Sequence, residues 1–252
     1  MRRLLPDVAD EPLDQAYDDL RLTGPVEGRA GVSLGMVASA DGAATVAGRT
    51  ASLGGAADQA AYVALRAAAD AILVGAGTVR AENYGPAAGG ADRQRRRMSK
   101  GLTPAPRLVV VSNRLDFDPA ARVFGDPDHP PLIATNARAA AQASSLTGIA
   151  ELMVVGDEAV DLTVLLVELA QRSYGGVLCE GGPTLNGALL EHDLVDALFL
   201  TVAPVLVGGA AGRIVSGLAE VDLPLELVEL RSNEGELLLH YRRRTAVLDD
   251  RL

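Results

Sequence analysis

Short apolar runs recur along the chain, each ending in glycine or a polar turn and most followed by a stretch of helical spacing. They fall at residues 32–38, 71–74, 108–111, 132–134, 152–155, 177–179 and 197–205, the last interrupted at Pro204. Unbroken runs of this length suit strands buried on both faces, as in a parallel sheet covered by helices. Between them, Tyr62, Leu65 and Ala69 share one helical face, with Asp58 expected as the cap of that helix. Asn136 caps a second helix. Asp161 opens a third, which runs through Leu165, Leu166 and Leu169 to a stop at Gly175-Gly176, and Pro183 starts a fourth, carrying Leu185, Ala188 and Leu189. The last two runs, 225–230 and 236–243, have no helix between them and read as a hairpin turning around Asn233 and Gly235. The pattern predicts an α/β fold, a three-layer αβα architecture whose mixed sheet is mostly parallel with antiparallel C-terminal strands. Residues 1–30, polar and proline-bearing with one helical candidate at 13–20, form an N-terminal arm. Residues 31–252 form a single domain.

Composition narrows the function classes. A net charge of −10 over 252 residues argues against nucleic acid or an anionic membrane surface as partner. The single Cys179 leaves no disulfide framework and no multi-cysteine zinc site, and the three histidines have no metal-ligand spacing. No apolar run approaches membrane-spanning length, and the N-terminus lacks a signal-peptide core, so a cytoplasmic protein without a metal is expected.

Two strand-to-glycine junctions carry the candidate chemistry. In Val177-Leu178-Cys179-Glu180-Gly181-Gly182-Pro183-Thr184-Leu185, a carboxylate ends the strand and two glycines precede the helix. Main-chain N–H groups point outward at such a place, and without Cβ atoms a pyrophosphate can approach them. The second junction, Ala71-Ile72-Leu73-Val74-Gly75-Ala76-Gly77-Thr78-Val79, has Thr78 as a hydroxyl and N-cap, and Arg80 where a dinucleotide fingerprint would place its third glycine. Together they suggest two halves of one phosphate-bearing ligand site, in which Gly181→Val should abolish cofactor binding without unfolding the chain. After the 108–111 strand, Ser112 and Arg114 suit a 2′-phosphate and favour NADP over NAD, although a plain polar turn explains them equally. The run Arg93-Gln94-Arg95-Arg96-Arg97-Met98-Ser99-Lys100 reads as a solvated basic loop, or as one in which Arg93 and Arg97 close over a substrate phosphate.

Ser39-Ala40-Asp41-Gly42, Leu65-Arg66-Ala67 leading into residues 70–79, and Glu180-Gly181-Gly182-Pro183-Thr184-Leu185 together resemble, in order and spacing, the pyrimidine reductase domain of riboflavin biosynthesis, a domain similar in fold to dihydrofolate reductase. The resemblance implies hydride transfer from NADPH to 5-amino-6-(5-phosphoribosylamino)uracil, turning ribosyl into ribityl, in a homodimer. By position it implies cofactor contacts at Gly75, Gly77, Thr78, Val79, Ser112, Gly181 and Gly182, to which the junctions themselves add Arg80, Arg114 and Thr184 as cofactor-binding candidates. It implies that Asp41 and Glu180 face the substrate and are the candidate catalytic acids; Ser39, Asp58, Arg93 and Arg97 are further substrate-contact candidates read from the residues themselves. The zinc deaminase motifs that accompany this domain in many members are absent, which resembles the stand-alone form. Gly35 stands where many members carry a lysine.

Three alternatives stay open: reduction of a pterin such as dihydrofolate or of another nitrogen heterocycle, a non-catalytic nucleotide-binding module, and a hydrolase using Ser33. Gly31-Val32-Ser33-Leu34-Gly35 fits G-x-S-x-G, but the elbow needs a strand before the serine and a helix after it.

Overall fold

In the computed structural model, which describes residues 1–50, 52–141, 146–217 and 219–244, the seven apolar runs become seven parallel strands. They are β3 (Gly31–Ser39), β4 (Ala71–Gly75), β5 (Arg107–Val111), β6 (Leu132–Thr135), β7 (Glu151–Val154), β8 (Gly176–Cys179) and β9 (Ala197–Ala203). Their order across the sheet is β9-β3-β8-β4-β5-β6-β7. The hairpin of β10 (Leu225–Asn233) and β11 (Glu236–Arg243) joins at the β9 edge, with β11 antiparallel to β9. Glu234 and Gly235 both take positive φ, 49° and 89°, the conformation a two-residue hairpin turn requires.

Alternation along these strands separates two cores. Leu73, Val109, Leu132 and Val177 face α5 (Leu162–Gln171) and α6 (Pro183–Glu191), meeting Leu165, Leu169, Leu185 and Leu189. Ile72, Val74, Val110, Ile133 and Leu178 face the opposite way, toward Leu65 of α1 (Ala56–Ala68) and Val79 of α2 (Ala76–Ala81). A helix layer thus covers each face of the central sheet, as the run pattern implied. Each fully buried aliphatic side chain contributes roughly 1.5–3 kcal/mol. The cap assignments hold for two helices: the Asp161 carboxylate accepts from Val164 N–H in α5, and the Asn136 side chain accepts from Ala139 N–H in α4 (Ala137–Ala140).

Three local expectations are corrected. Residues 13–20 form turns and no helix. The apolar pattern there covers two turns at most, too little to repay helix nucleation, and Leu13 and Tyr17 pack instead with Met1 against Ala57, Ala61 and Leu238. The preceding residues of the arm add two short strands that the pattern did not show, β1 (Arg2–Leu5) pairing with β10 and β2 (Ala9–Asp10) with β1, extending the sheet to eleven strands. The basic run is not a loop but α3 (Ala91–Ser99). Arg97 within it is fully buried and donates to the carbonyls of Arg66, Ala67 and Ala69 at 3.0, 3.2 and 2.6 Å, satisfying the C-terminal end of α1. That side chain is committed to the scaffold and does not reach a substrate phosphate.

The cap of α1 is also not Asp58. Gly55 holds the N-cap position, and the carboxylate of Glu236, in β11, accepts from Gly55 N–H at 2.7 Å and Ala57 N–H at 3.1 Å. A helix beginning in a Gly-Gly pair thus takes its cap from the hairpin. Glu236→Ala is expected to lower stability by about 2 kcal/mol, read as a shifted urea midpoint with an unchanged slope.

Candidate active site

The parallel strands deliver their carboxyl ends to one side of the sheet, and β4 and β8 are neighbours. Beyond the last paired residues the two strands stay linked: Glu180 N–H donates to Leu73 O at 2.9 Å and Gly75 N–H to Gly181 O at 2.8 Å. Gly75 caps α2 and Gly182 caps α6, so Thr78 sits in the first turn of α2 rather than at its cap. A Cβ on Gly182 would lie 2.6 Å from the Thr78 hydroxyl oxygen, and one on Gly75 3.6 Å from Gly182 N. The two glycine junctions therefore meet. They form part of the wall of a cavity of about 930 Å³, at the upper end of the range for ligand sites.

Gly75, Gly77, Thr78, Gly181, Gly182 and Thr184 line this cavity, as do Asp58 and Glu180. The other expected contacts do not. Val79 is buried in the core. The exposed Arg80 donates to Asp116 O at 3.1 Å. Ser112 is buried and accepts from Leu115 N–H, Arg114 is exposed, and Arg93 lies on α3. The expectation for Gly181→Val also changes. Gly181 has φ +82°, where a β-branched residue is strained, so that substitution would disturb the fold as well as the site.

Both candidate acids turn out to be occupied. Arg66 of α1 grips Glu180 with two parallel bonds, Nε to Oε1 at 2.7 Å and Nη2 to Oε2 at 2.8 Å, and both side chains are about nine-tenths buried. The Tyr84 hydroxyl also donates to Glu180 and accepts from Arg66. Arg66 lies over the Tyr62 ring at 4.5 Å and the Tyr84 ring at 5.2 Å. Burial pushes the Tyr62 hydroxyl up to about 12 and the Tyr84 hydroxyl well above its ordinary value, so neither phenol ionises at neutral pH. Both oxygens of Glu180 are thus engaged, Oε1 by Arg66 and Oε2 by Arg66 and Tyr84. Asp41 lies outside the cavity lining. It accepts from the Ser39 hydroxyl at 2.5 Å and from Val207 and Gly208 N–H at 3.1 and 2.7 Å. These donors hold it near 2, an ionised clamp between the turn after β3 and the loop after β9. Neither Asp41 nor Ser39 lines the cavity.

Sequence reasoning missed several cavity residues. Tyr62 and Arg66 follow the expected Asp58 at four-residue intervals along the cavity face of α1, a spacing visible in the sequence but masked by the ordinary amphipathic pattern. Thr201 of β9, His240 of β11 and Arg122, which follows β5, arrive from distant segments. His240 stacks on Phe199 with ring centroids 4.0 Å apart, and burial draws it down to about 4. Gly35 also lines the cavity. A Cβ there would meet Leu178 Cδ1 at 2.9 Å, so aliphatic side chains fill the space into which a larger residue would grow. Ser33 is fully buried in mid-strand with no following helix, which removes the hydrolase reading. Among the described residues no group of three or more His, Cys, Asp or Glu could hold a metal ion, and no helix is long and apolar enough to cross a membrane.

The sequence profile of the RibD C-terminal domain matches residues 30–239. The chain belongs to that family. A 2,5-diamino-6-ribosylamino-4(3H)-pyrimidinone 5′-phosphate reductase of Archaeoglobus fulgidus is 32% identical over 145 residues, covering 58% of this chain and 66% of that protein. A reductase of the same name from Aquifex aeolicus is 34% identical, covering 58% of this chain and 61% of its own length. The matched stretch thus spans less than two thirds of each of these relatives. A pyrimidine reductase-like protein of Corynebacterium diphtheriae has the same fold, with a TM-score of 0.77 at 26% identity, covering 93% of this chain and all of that one. The fold is the α/β one that the resemblance implied.

Two outcomes follow from the buried groups. Glu180→Gln should destabilise the fold by about 3 kcal/mol, because it leaves the buried Arg66 charge without its counter-ion. Turnover and stability should fall together, and a double-mutant cycle with Arg66→Met measures the coupling. His240 titrates at about 4 in the fold against 6.5 in the unfolded chain, so the unfolded state binds more protons between those values. Its contribution is complete above pH 6.5 and fades as pH falls through about 4, and His240→Phe should flatten that part of the stability–pH curve.

Proposed function

We propose that the chain is a cytoplasmic, NADPH-dependent reductase of a phosphoribosylaminopyrimidine in riboflavin biosynthesis, taking 5-amino-6-(5-phosphoribosylamino)uracil or its 2-amino counterpart and converting ribosyl to ribityl. The observation that carries this reading is the meeting of the two glycine junctions in one cavity. Gly75, Gly77, Gly181 and Gly182 leave main-chain atoms uncovered beside Thr78 and Thr184, a surface suited to a cofactor pyrophosphate. The cofactor fits the residues present, because a side chain at Gly182 would fill the gap in front of the Thr78 hydroxyl. The reductase names of the relatives agree with it.

When bound, NADPH supplies the hydride that the ring-opened imine carbon accepts. The protein's part is placement. Arg66, Glu180 and Tyr84 form a rigid polar floor whose remaining hydrogen-bonding capacity can orient the ribosyl hydroxyls, while Tyr62 and Leu65 cover the face of α1 that borders the cavity. The imine nitrogen must gain a proton. With both Glu180 oxygens engaged by Arg66 and Tyr84 and Asp41 outside the cavity lining, Asp58 is the lining carboxyl whose burial favours the protonated form, and the proton passes from it or from water. Exposed Val205, Leu206 and Leu237, beside the contact of Gly235 with Pro204, are the surface on which we place a homodimer, checked by sedimentation of wild type against Leu206→Glu.

Gly77 gives the cleanest test of the cofactor site. A Cβ there meets nothing within 4 Å, so Gly77→Val adds bulk only to the cavity. NADPH affinity should fall by at least about tenfold with the melting temperature unchanged, and wild type should oxidise NADPH with the pyrimidine substrate. Unchanged NADPH affinity in the variant would remove the glycine cradle from the argument.

A further inference from the structure

The profile of the family begins at residue 30, yet one wall of the cavity comes from before it. Tyr17, in the N-terminal arm, lines the cavity together with Asp58, Ala61, Glu229 and Leu238. Its ring packs against Ala57 and Ala61 of α1 and Leu238 of β11, filling the gap between helix and hairpin. Although it sits in a turn segment, it is held by strands. Arg231 of β10 lies over the Tyr17 ring at 4.9 Å. That guanidinium is gripped by Glu229 through two bonds of 2.9 and 3.0 Å, and it also pairs with Glu11 of the arm. The Tyr17 hydroxyl is the part without an engagement. It makes no hydrogen bond among the described residues and, unlike Ser33 Oγ, it is not sealed inside the protein, so a ligand can reach it. A mostly buried tyrosine ordinarily gives its O–H to a protein partner. Burial of the ring, with the carboxyl groups of Glu229 and Asp58 nearby, pushes this phenol far up, and it is an uncharged donor at neutral pH.

Building on the proposed reduction of a phosphoribosylaminopyrimidine, we propose that the N-terminal arm is part of the substrate site and that the Tyr17 hydroxyl donates to a carbonyl of the pyrimidine ring. Position in the sheet excludes the cofactor's phosphates as its ligand. The glycine junctions follow β8 and β4, and β11 stands three and four strands away from them. At roughly 4.8 Å per strand, these separations are about 14 and 19 Å. Tyr17, packed on β11, therefore lies on the side of the cavity away from the glycine cradle. Asp58, its neighbour in the lining, is the group placed above beside the imine nitrogen, and that nitrogen is bonded directly to the pyrimidine ring. The ring, not the ribose phosphate, comes next to Tyr17. Both candidate pyrimidines carry a ring carbonyl that accepts from the phenol, so Tyr17 holds the ring without choosing between them. A hydroxyl that gains its partner only when the ring is bound also ties the arm to the cavity, and so protects residues 11–20 against local opening.

The test uses the full chain and the variants Y17F and Y17A. Ring binding is read by calorimetry with 5,6-diaminouracil, cofactor binding by an NADPH titration, and turnover by NADPH oxidation with 5-amino-6-(5-phosphoribosylamino)uracil. Y17F keeps the aromatic packing, so its melting temperature should not move. Its ring affinity should fall about threefold to tenfold and KM for the pyrimidine should rise in step, with NADPH affinity and kcat unchanged. Y17A should lose at least as much ring affinity and also melt lower. Exchange of the amide hydrogens of residues 11–20 should slow when the ring is added, but not when NADPH alone is added. Unchanged ring affinity in Y17F, an equal loss of NADPH affinity, no ring-dependent protection of the arm, or no binding of the ring to wild type would each overturn the assignment. Should Y17F weaken the ring while wild type oxidises no NADPH with the phosphoribosyl substrate, the reductase reading falls and the Tyr17 site stands. Should turnover be present and Y17F match wild type throughout, the Tyr17 site falls and the reductase reading stands.

Discussion

The bidentate pair between Arg66 and Glu180 is the contact on which the architecture of the site rests. It ties the last turn of α1 to the end of β8, and so fixes how far the helix layer stands from the sheet. A buried pair of this kind need not add net stability, since desolvation of both ions offsets their attraction. What it does impose is register. With Glu180 held, Tyr84 is drawn onto the same carboxylate, the Tyr62 ring lies under the guanidinium, and the cavity floor has one arrangement. The C-terminal carbonyls of α1 are closed by Arg97 and its N-terminus by Glu236, so both ends of the helix are held by charged groups from other parts of the chain.

That rigidity separates scaffold from chemistry. Of the carboxylates around the sheet ends, Asp41 holds two loops, Glu236 holds a helix and Glu180 holds an arginine. Asp58 lines the cavity at the first turn of α1, and Glu82, which accepts from the Thr50 hydroxyl, lines it as well. The glycines divide in the same way. Gly77 opens onto empty space, whereas Gly35 and Gly54 lie against Leu178 and Asp58, where their lack of a side chain serves packing.

The run pattern placed the strands well, because a strand buried on both faces must be apolar throughout, and no other element of four to seven residues has that composition. The caps at Asn136 and Asp161 and the helix start at Pro183 were equally plain, since each acts on its own next few residues. Where the expectation failed, the deciding partner was remote. The basic run reads as a solvated loop until the terminal carbonyls of α1 are placed beside Arg97, and Asp58 reads as a cap until Glu236 takes that role.

The sequence by itself therefore determined the layered sheet, the two glycine junctions and the family, all of which depend on neighbours within a few residues or on an ordered set of short motifs. Only the tertiary structure decided which charged groups are free. Whether Glu180 or Asp41 can act on a ligand depends on whether Arg66 or Gly208 has already claimed it. Those pairings join residues more than a hundred positions apart, or at the ends of separate elements, and no local spacing encodes them.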